Sequence, residues 1–307
     1  MSSLGEKVQM SIQRLKAFEP DEGYSLQFSG GKDSVVVKAI ADMAGVKYRP
    51  MYRLTSVDQP EVVRFIKEKH PDVFIDIPRY NDGKQKTMWN LIVKNRMPPT
   101  QLVRYCCEEL KESGGKGELT VTGVRWAESI NRQNQQGLVT IVPESARKKE
   151  KLSEMASGDS QVKQTKKGGL VLNYDNSESQ RIVNQCYRTH KTLVNPIIDW
   201  EDRDVWDFIR SERIPYCGLY DEGYHRVGCI GCPMARIHRN RDFARYPTYK
   251  KAYIHAFDRM LEARDRDGLK PFGNGVKTGE DVFHWWMKDG VIPGQIDMFG
   301  DIDDIDF

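Results

Sequence analysis

The sequence predicts an α/β protein, a doubly wound, mainly parallel sheet with helices on both faces, followed by a small C-terminal helical extension. Two observations carry this. Short apolar strands alternate with segments of helical apolar spacing through the first half of the chain. One of those strands also runs straight into a glycine pair that opens a helix, the junction at which open α/β sheets bind anions. With 307 residues, 39% of them hydrophobic, the chain suffices for one large domain and an appendage.

The elements follow in order. Residues 8–18 place Val8, Ile12 and Leu15 on one helical face. Residues 24–28 alternate as a short strand, and residues 34–44 read as a helix with Val35, Val36, Val37, Ile40 and Met43 as its apolar face. A second strand is expected at 48–54, a helix with Pro60 in its first turn at 60–68, and a third strand at 73–77. Residues 87–94 are helical and end at the Met97-Pro98-Pro99 break; residues 119–124 form another strand. From about 145 to about 169, basic residues sit among Ser, Gln and Gly with little periodicity, which predicts a flexible surface insertion. Order returns with a helix at 201–210, capped by Asp199 and lined by Val205, Trp206 and Ile209, and another at 249–264. The end from 289 carries Asp297, Asp301, Asp303, Asp304 and Asp306 and no Lys or Arg, so it reads as an acidic tail.

A net charge of +3 does not by itself announce nucleic acid or membrane. No apolar run reaches membrane-spanning length, and the first residues lack a signal-peptide core, so a cytoplasmic chain is expected. Six cysteines in that compartment stay reduced, and their clustering points to metal or cluster ligands.

The first chemical signal is Ser29-Gly30-Gly31-Lys32-Asp33-Ser34 between a strand and a helix. Glycines allow the tight turn that aims several N–H groups at one anion, and the helix adds its positive end. Ser29 and Ser34 offer hydroxyl donors, Lys32 offers charge, and Asp33 either holds a magnesium ion or braces the loop. The Walker pattern is absent, because Gly31 has no glycine five positions before it and Asp33 occupies the Ser/Thr slot. Arg125 and Arg132 lie just past a strand end, where a guanidinium fork suits phosphate or sulfate. The second signal is thiol: Cys106-Cys107 and Cys229-Ile230-Gly231-Cys232. Four thiolates from two distant segments serve one tetrahedral zinc ion or one iron–sulfur cluster, and an adjacent pair sits more naturally on two different irons. Cys186 and Cys217 fall outside this pattern and read as packed thiols.

The hexapeptide resembles the PP-loop of ATP pyrophosphatases and of phosphoadenosine phosphosulfate (PAPS) reductases. Further segments resemble the reductase branch: Thr55-Ser56-Val57-Asp58, the Gly123 to Arg132 stretch with Arg125 and Ser129, the Asn195 to Trp206 stretch, and Ile214-Pro215-Tyr216. The resemblance covers about residues 24–234 and implies a PP-loop domain over residues 1–235, with 236–307 as helical extension and tail. It implies binding of ATP, PAPS or adenosine phosphosulfate (APS), with Asp58 near the nucleotide. It also implies a 4Fe–4S cluster, rather than zinc, on Cys106, Cys107, Cys229 and Cys232, with Lys111 beside cluster and substrate.

Reductases of this kind use one more cysteine near the C-terminus as nucleophile, and no cysteine follows Cys232. The reading therefore leans to magnesium-assisted cleavage of ATP between the α and β phosphates, with Lys32, Asp33, Lys111 and Arg125 as catalytic groups and a sulfur-donor or electron-donor protein as partner. Sulfite-releasing reduction of PAPS or APS, and a non-catalytic nucleotide-sensing role, are the alternatives. The basic insertion and Arg236, Arg239, Arg241 and Arg245 suit nucleic acid or, equally, a solvated face. Gln295-Ile296-Asp297-Met298-Phe299 is similar to peptides that dock on bacterial sliding clamps.

Overall fold

The computed structural model describes residues 3–112, 117–143, 145–156, 162–273 and 275–288. The acidic tail and the clamp-like peptide lie outside the described residues. The described residues form two compact units that interleave along the chain. The first draws on Met1–Arg53, Gln59–Asp76 and Gly114–Gly228; the second takes in Leu54–Asp58, Ile77–Ser113 and the residues from Cys229 on. Residues 54–58 and 77–113 thus group with the C-terminal helices, whereas a sequence boundary near 235 keeps them with the loop.

The first unit is built on an eight-stranded sheet. Its strands are β1 (Tyr24–Gln27), β2 (Tyr48–Arg53), β3 (Phe74–Asp76), β4 (Leu119–Val121), β5 (Val139–Val142), β6 (Val162–Gln164), β7 (Leu170–Leu172) and β8 (Lys191–Val194), in the order β3-β2-β1-β4-β8-β5-β7-β6. The five from β3 to β8 run parallel; β5, β7 and β6 complete the sheet antiparallel. Strands buried on both faces read as apolar runs, and Leu26, Val121 and Val194 are at most 1% exposed. The order turns back between β1 and β4, so the loops leaving their carboxyl ends flank the topological switch point.

Helices Leu4–Phe18, Lys32–Ala44, Pro60–Lys69, Ser177–Cys186 and Asp202–Ser211 belong to the same unit. The last is capped differently from expectation. Glu201 is its N-cap, in a reciprocal box with Asp204, while Asp199 turns away to a bidentate pair with Arg14 at 2.7 and 2.9 Å. A buried guanidinium needs that carboxylate more than an exposed helix end does. Trp200, fully buried, donates its indole N–H to Ser11 Oγ at 3.1 Å and pins the same corner.

The described part of the basic insertion carries regular structure. Residues Ala146–Ala156 form a helix anchored by the fully buried Leu152, and β6 pairs with the wholly buried β7. Lys163 and Gln164 stand exposed on β6, the polar composition that protects a sheet edge. One buried leucine and a three-residue strand are too short to show as periodicity.

The second unit is helical: Met88–Asn95, Tyr105–Cys107 running into the wider coil Glu108–Glu112, Arg239–Arg245, Pro247–Arg266 and Gly279–Met287. Its core is aromatic, with Tyr253 and Trp286 rings 4.8 Å apart and Phe243 and Phe283 5.0 Å apart. Arg239, one of the four arginines read as a basic face, is inside this core. It is 1% exposed, donates to Trp286 O at 3.0 Å and Met287 O at 3.3 Å, and lies over the Trp286 ring. Arg236, Arg241 and Arg245 remain exposed.

Candidate active site

The loop after β1 is shaped by close approach. Gly30 has φ +72°, and a Cβ there would meet Val62 Cγ1 at 2.8 Å, so helix Pro60–Lys69 backs directly onto the turn. Gly31 is the N-cap of helix Lys32–Ala44 and supplies no side-chain cap, which leaves the helix entrance for other acceptors. Ser34 Oγ donates to Gly31 O at 2.9 Å and receives Ser29 N–H and Ser29 Oγ, each at 3.2 Å. The two serines therefore knit the turn together. The Lys32 amide donates to the hydroxyl of Tyr220 at 2.9 Å.

From the neighbouring strand end, Gly123 presses on the loop: a Cβ there would stand 3.0 Å from the Asp33 carbonyl carbon. Two residues on, Arg125 is 1% exposed. Its Nε meets Asp33 Oδ1 at 2.7 Å, its NH2 meets Asp202 Oδ1 at 2.5 Å, and its NH1 meets Trp200 O at 3.1 Å. Lys32 Nζ reaches the same two carboxylates, Asp33 at 3.2 Å and Asp202 at 3.4 Å. Burial works against the Arg125 charge, but Asp33 and Asp202 outweigh it and raise its pKa. Burial works against the Asp202 charge as well; Arg125 and Lys32 hold its carboxyl below the usual range. Two cations and two anions balance, so the loop carries no unmatched charge among these four side chains.

This arrangement separates roles that the sequence left open. Asp33 braces: both of its oxygens are paired with cations, and a magnesium ion does not fit there without displacing Lys32 or Arg125. Arg125 acts on the loop through Asp33. Arg132 turns to Glu128, 3.7 Å away, on a short helix capped by Ser129. Asp202 and Tyr220 were not singled out from the sequence. Asp202 stands inside the Trp200-Glu201-Asp202 stretch, where proximity to the signature was its signal; Tyr220 carried none.

The second unit gathers Cys106, Cys107, Cys229 and Cys232. Cys106 keeps its proton, first because it donates to Cys107, then through burial and the charges of Cys107, Cys229 and Cys232. Cys107 is correspondingly lowered by that bond, opposed by burial and helped by Arg104, whose NH2 donates to its sulfur at 3.3 Å. Burial pushes the Cys229 thiol up while Lys111 works against it. Lys111 is exposed as a residue, yet its ammonium lies against Cys229, whose charge raises its pKa, with Asp58 and Cys107 adding to the effect. Asp58 receives Thr55 N–H at 2.7 Å and Thr55 Oγ1 at 2.9 Å, and Thr55 Oγ1 lies 3.4 Å from Cys229 Sγ. The Thr55-to-Asp58 segment thus supports the thiols within this unit. The C-x-x-C turn is fixed by Ile230 N–H to Val57 O at 2.7 Å, Gly231 N–H to Asp242 at 3.1 Å, and Tyr253 O–H to Ile230 O at 3.1 Å.

Among the described residues, no three His, Cys, Asp or Glu side chains are arranged to hold a single metal ion. A single zinc ion draws its thiolates to about 2.3 Å from one centre, whereas a cluster spreads them over several irons. By donor chemistry, four thiols with Arg104 and Lys111 beside them suit a thiophilic centre, zinc or iron–sulfur.

A mainly parallel sheet with a glycine loop at its switch point, together with a helical unit that carries four clustered thiols, defines the class as an α/β protein of the doubly wound kind. Residues 23–235 match the phosphoadenosine phosphosulfate reductase domain model, and the chain belongs to that family, within the PP-loop superfamily. An uncharacterised protein of Methanocaldococcus jannaschii is 27% identical over 281 residues, 87% of this chain and 53% of that protein. An adenosine 5'-phosphosulfate reductase of Allochromatium vinosum is 45% identical over 42 residues, 14% of this chain and 16% of that enzyme. This chain therefore spans about half the length of the first relative and matches a short segment of the second. The crystal structure of a PAPS reductase from Candida auris in complex with phosphate aligns with a TM-score of 0.38 and 13% identity, over 75% of this chain and 96% of that one. Among the described residues, no helix is long and apolar enough to cross a membrane.

Proposed function

We propose that this chain is a PP-loop enzyme that binds ATP at Ser29 to Ser34 and cleaves it between the α and β phosphates, activating an acceptor by adenylation for sulfur transfer. The observation that carries this choice over reduction concerns thiols. Cys186 and Cys217, the cysteines outside the four-thiol set, are each 1% exposed. Buried in this way, neither offers a thiolate to a bound sulfonucleotide.

The loop supplies what α–β cleavage needs. Charge accumulates on the leaving pyrophosphate, and preorganised amides at the entrance of helix Lys32–Ala44 stabilise it without moving. Lys32 can leave Asp202, which stands 3.4 Å away in an exposed position, and follow the phosphates. Asp33 and Arg125 hold the loop rigid while it does so. Cys106, Cys107, Cys229 and Cys232 would hold a 4Fe–4S cluster, which supplies one-electron chemistry when bound. Lys111 keeps a positive charge at Cys229. The exposed Arg236, Arg241 and Arg245 favour an anionic acceptor such as nucleic acid.

The test is incubation of anaerobically purified protein with ATP, APS and PAPS in separate reactions, scoring pyrophosphate and sulfite. Pyrophosphate from ATP alone is expected. Sulfite from APS or PAPS with thioredoxin, and no pyrophosphate from ATP, would replace this reading with the reductase.

A further inference from the structure

Tyr220 occupies an unusual place. It follows Cys217 in a short helical turn, Gly218–Tyr220, far in sequence from the anion loop, yet its hydroxyl receives the Lys32 amide at 2.9 Å. Lys32 is the first residue of the helix whose N-cap provides no side chain, so the phenol takes the place of a cap. The ring is held from the other side by Trp206 at 5.1 Å and Tyr216 at 6.4 Å, with Trp206 and Tyr216 themselves 5.4 Å apart. Three aromatic rings in edge contact fix the direction in which the hydroxyl points.

A phenol that accepts one N–H still has a proton to donate. At this loop that proton matters more than usual. Lys32 and Arg125 are both paired with Asp33 and Asp202, and the Ser29 and Ser34 hydroxyls donate within the turn. An arriving phosphate or sulfate therefore gains most from a neutral donor that is already oriented. Burial raises the Tyr220 pKa, opposed by the Lys32 amide, so the phenol stays protonated across the neutral range.

We propose that Tyr220 is part of the anion site: its hydroxyl accepts the Lys32 N–H and donates its own proton to an oxygen of the bound polyphosphate. This rests on the reading that the loop binds an anionic nucleotide. Tyr220 then serves as a binding and positioning group, relaying the polarisation of the helix entrance to the ligand. Hydrogen bonds to charged groups contribute about 1.5–3 kcal/mol, so the loss of one weakens binding on the order of tenfold or more.

The experiment measures binding of inorganic pyrophosphate, ATP and adenosine by calorimetry to the full chain, to Tyr220→Phe, and to protein carrying fluorotyrosines of graded acidity at position 220. Tyr220→Phe keeps the aromatic trio, and its melting temperature checks the fold. The expected result is pyrophosphate and ATP binding weakened about tenfold in Tyr220→Phe, adenosine unchanged, and affinity rising as the phenol becomes more acidic. A phenol that only braces the Lys32 amide gives the opposite trend along the fluorotyrosine series, and that result overturns the proposal. So does equal or tighter pyrophosphate binding by Tyr220→Phe, or an equal loss for adenosine. A wild-type chain that binds neither pyrophosphate nor ATP removes the underlying reading of the loop and this proposal with it.

Discussion

The anion loop and the thiol set solve opposite electrostatic problems. Around the loop, Lys32 and Arg125 are matched by Asp33 and Asp202, and the geometry is complete without a ligand. In the thiol set, four thiols are brought together: Cys106 keeps its proton, burial pushes the Cys229 thiol up, Cys107 is lowered, and Arg104 and Lys111 stand alongside. Charges matched in the fold brace the loop, whereas thiols gathered with cations alongside divide between neutral and ionised forms.

The largest expected effect breaks the match at the loop. Asp33→Ala leaves Arg125 and Lys32 to share Asp202 alone, so nucleotide turnover should fall on the order of a hundredfold to a thousandfold. Unchanged turnover by product assay would remove Asp33 from the site. Arg125→Met probes the same network from inside. It leaves Asp33 with Lys32 alone and empties a buried position of its charge, and urea unfolding should show a loss of about 3 kcal/mol. A loss below about 0.5 kcal/mol would mean that the network does not hold the loop.

The third prediction separates the two regions. Anaerobically purified wild-type protein should be brown and carry iron; Cys229→Ser should lose the colour and most of the iron, while ATP affinity changes less than about threefold. A brown Cys229→Ser protein takes that sulfur out of the donor set, and a colourless, zinc-bearing wild type replaces the cluster by zinc.

The smallest effect concerns the corner that supports helix Asp202–Ser211. Burial opposes ionisation of Asp199, but Arg14 prevails and lowers its pKa. A carboxylate held low in the fold contributes stability that is present above its unfolded pKa and lost as pH falls through the folded one. Wild-type stability should therefore fall as pH drops below about 4, and Asp199→Asn should flatten that acid limb. Parallel curves from urea titrations at several pH values would contradict the assignment.

The contrast also explains what the sequence could convey. Ser29 to Ser34 was legible because strand, glycine turn and helix are consecutive, and local order leaves a local pattern. The thiols were legible because cysteine is rare and clustered. Arg239 was not: a charged residue among exposed arginines entered the core because the carbonyls of Trp286 and Met287, over forty positions on, accept its protons. Tyr220 and Asp202 joined the loop only through the tertiary fold, and nothing periodic marks a residue whose function is to meet a distant amide. In the 145–169 stretch, one buried Leu152 and the three-residue strand β6 lie below the length at which alternation declares itself, so the sequence pattern there predicts a loop.

The most direct measurement of the central claim is exchange of radiolabelled pyrophosphate into ATP by the anaerobic protein, with a nucleic-acid acceptor present. Reversible cleavage between the α and β phosphates predicts label in ATP with the wild type and none with Asp33→Ala. Absence of exchange from a folded, ATP-binding wild-type protein would contradict adenylation and leave the loop as a nucleotide-binding site alone.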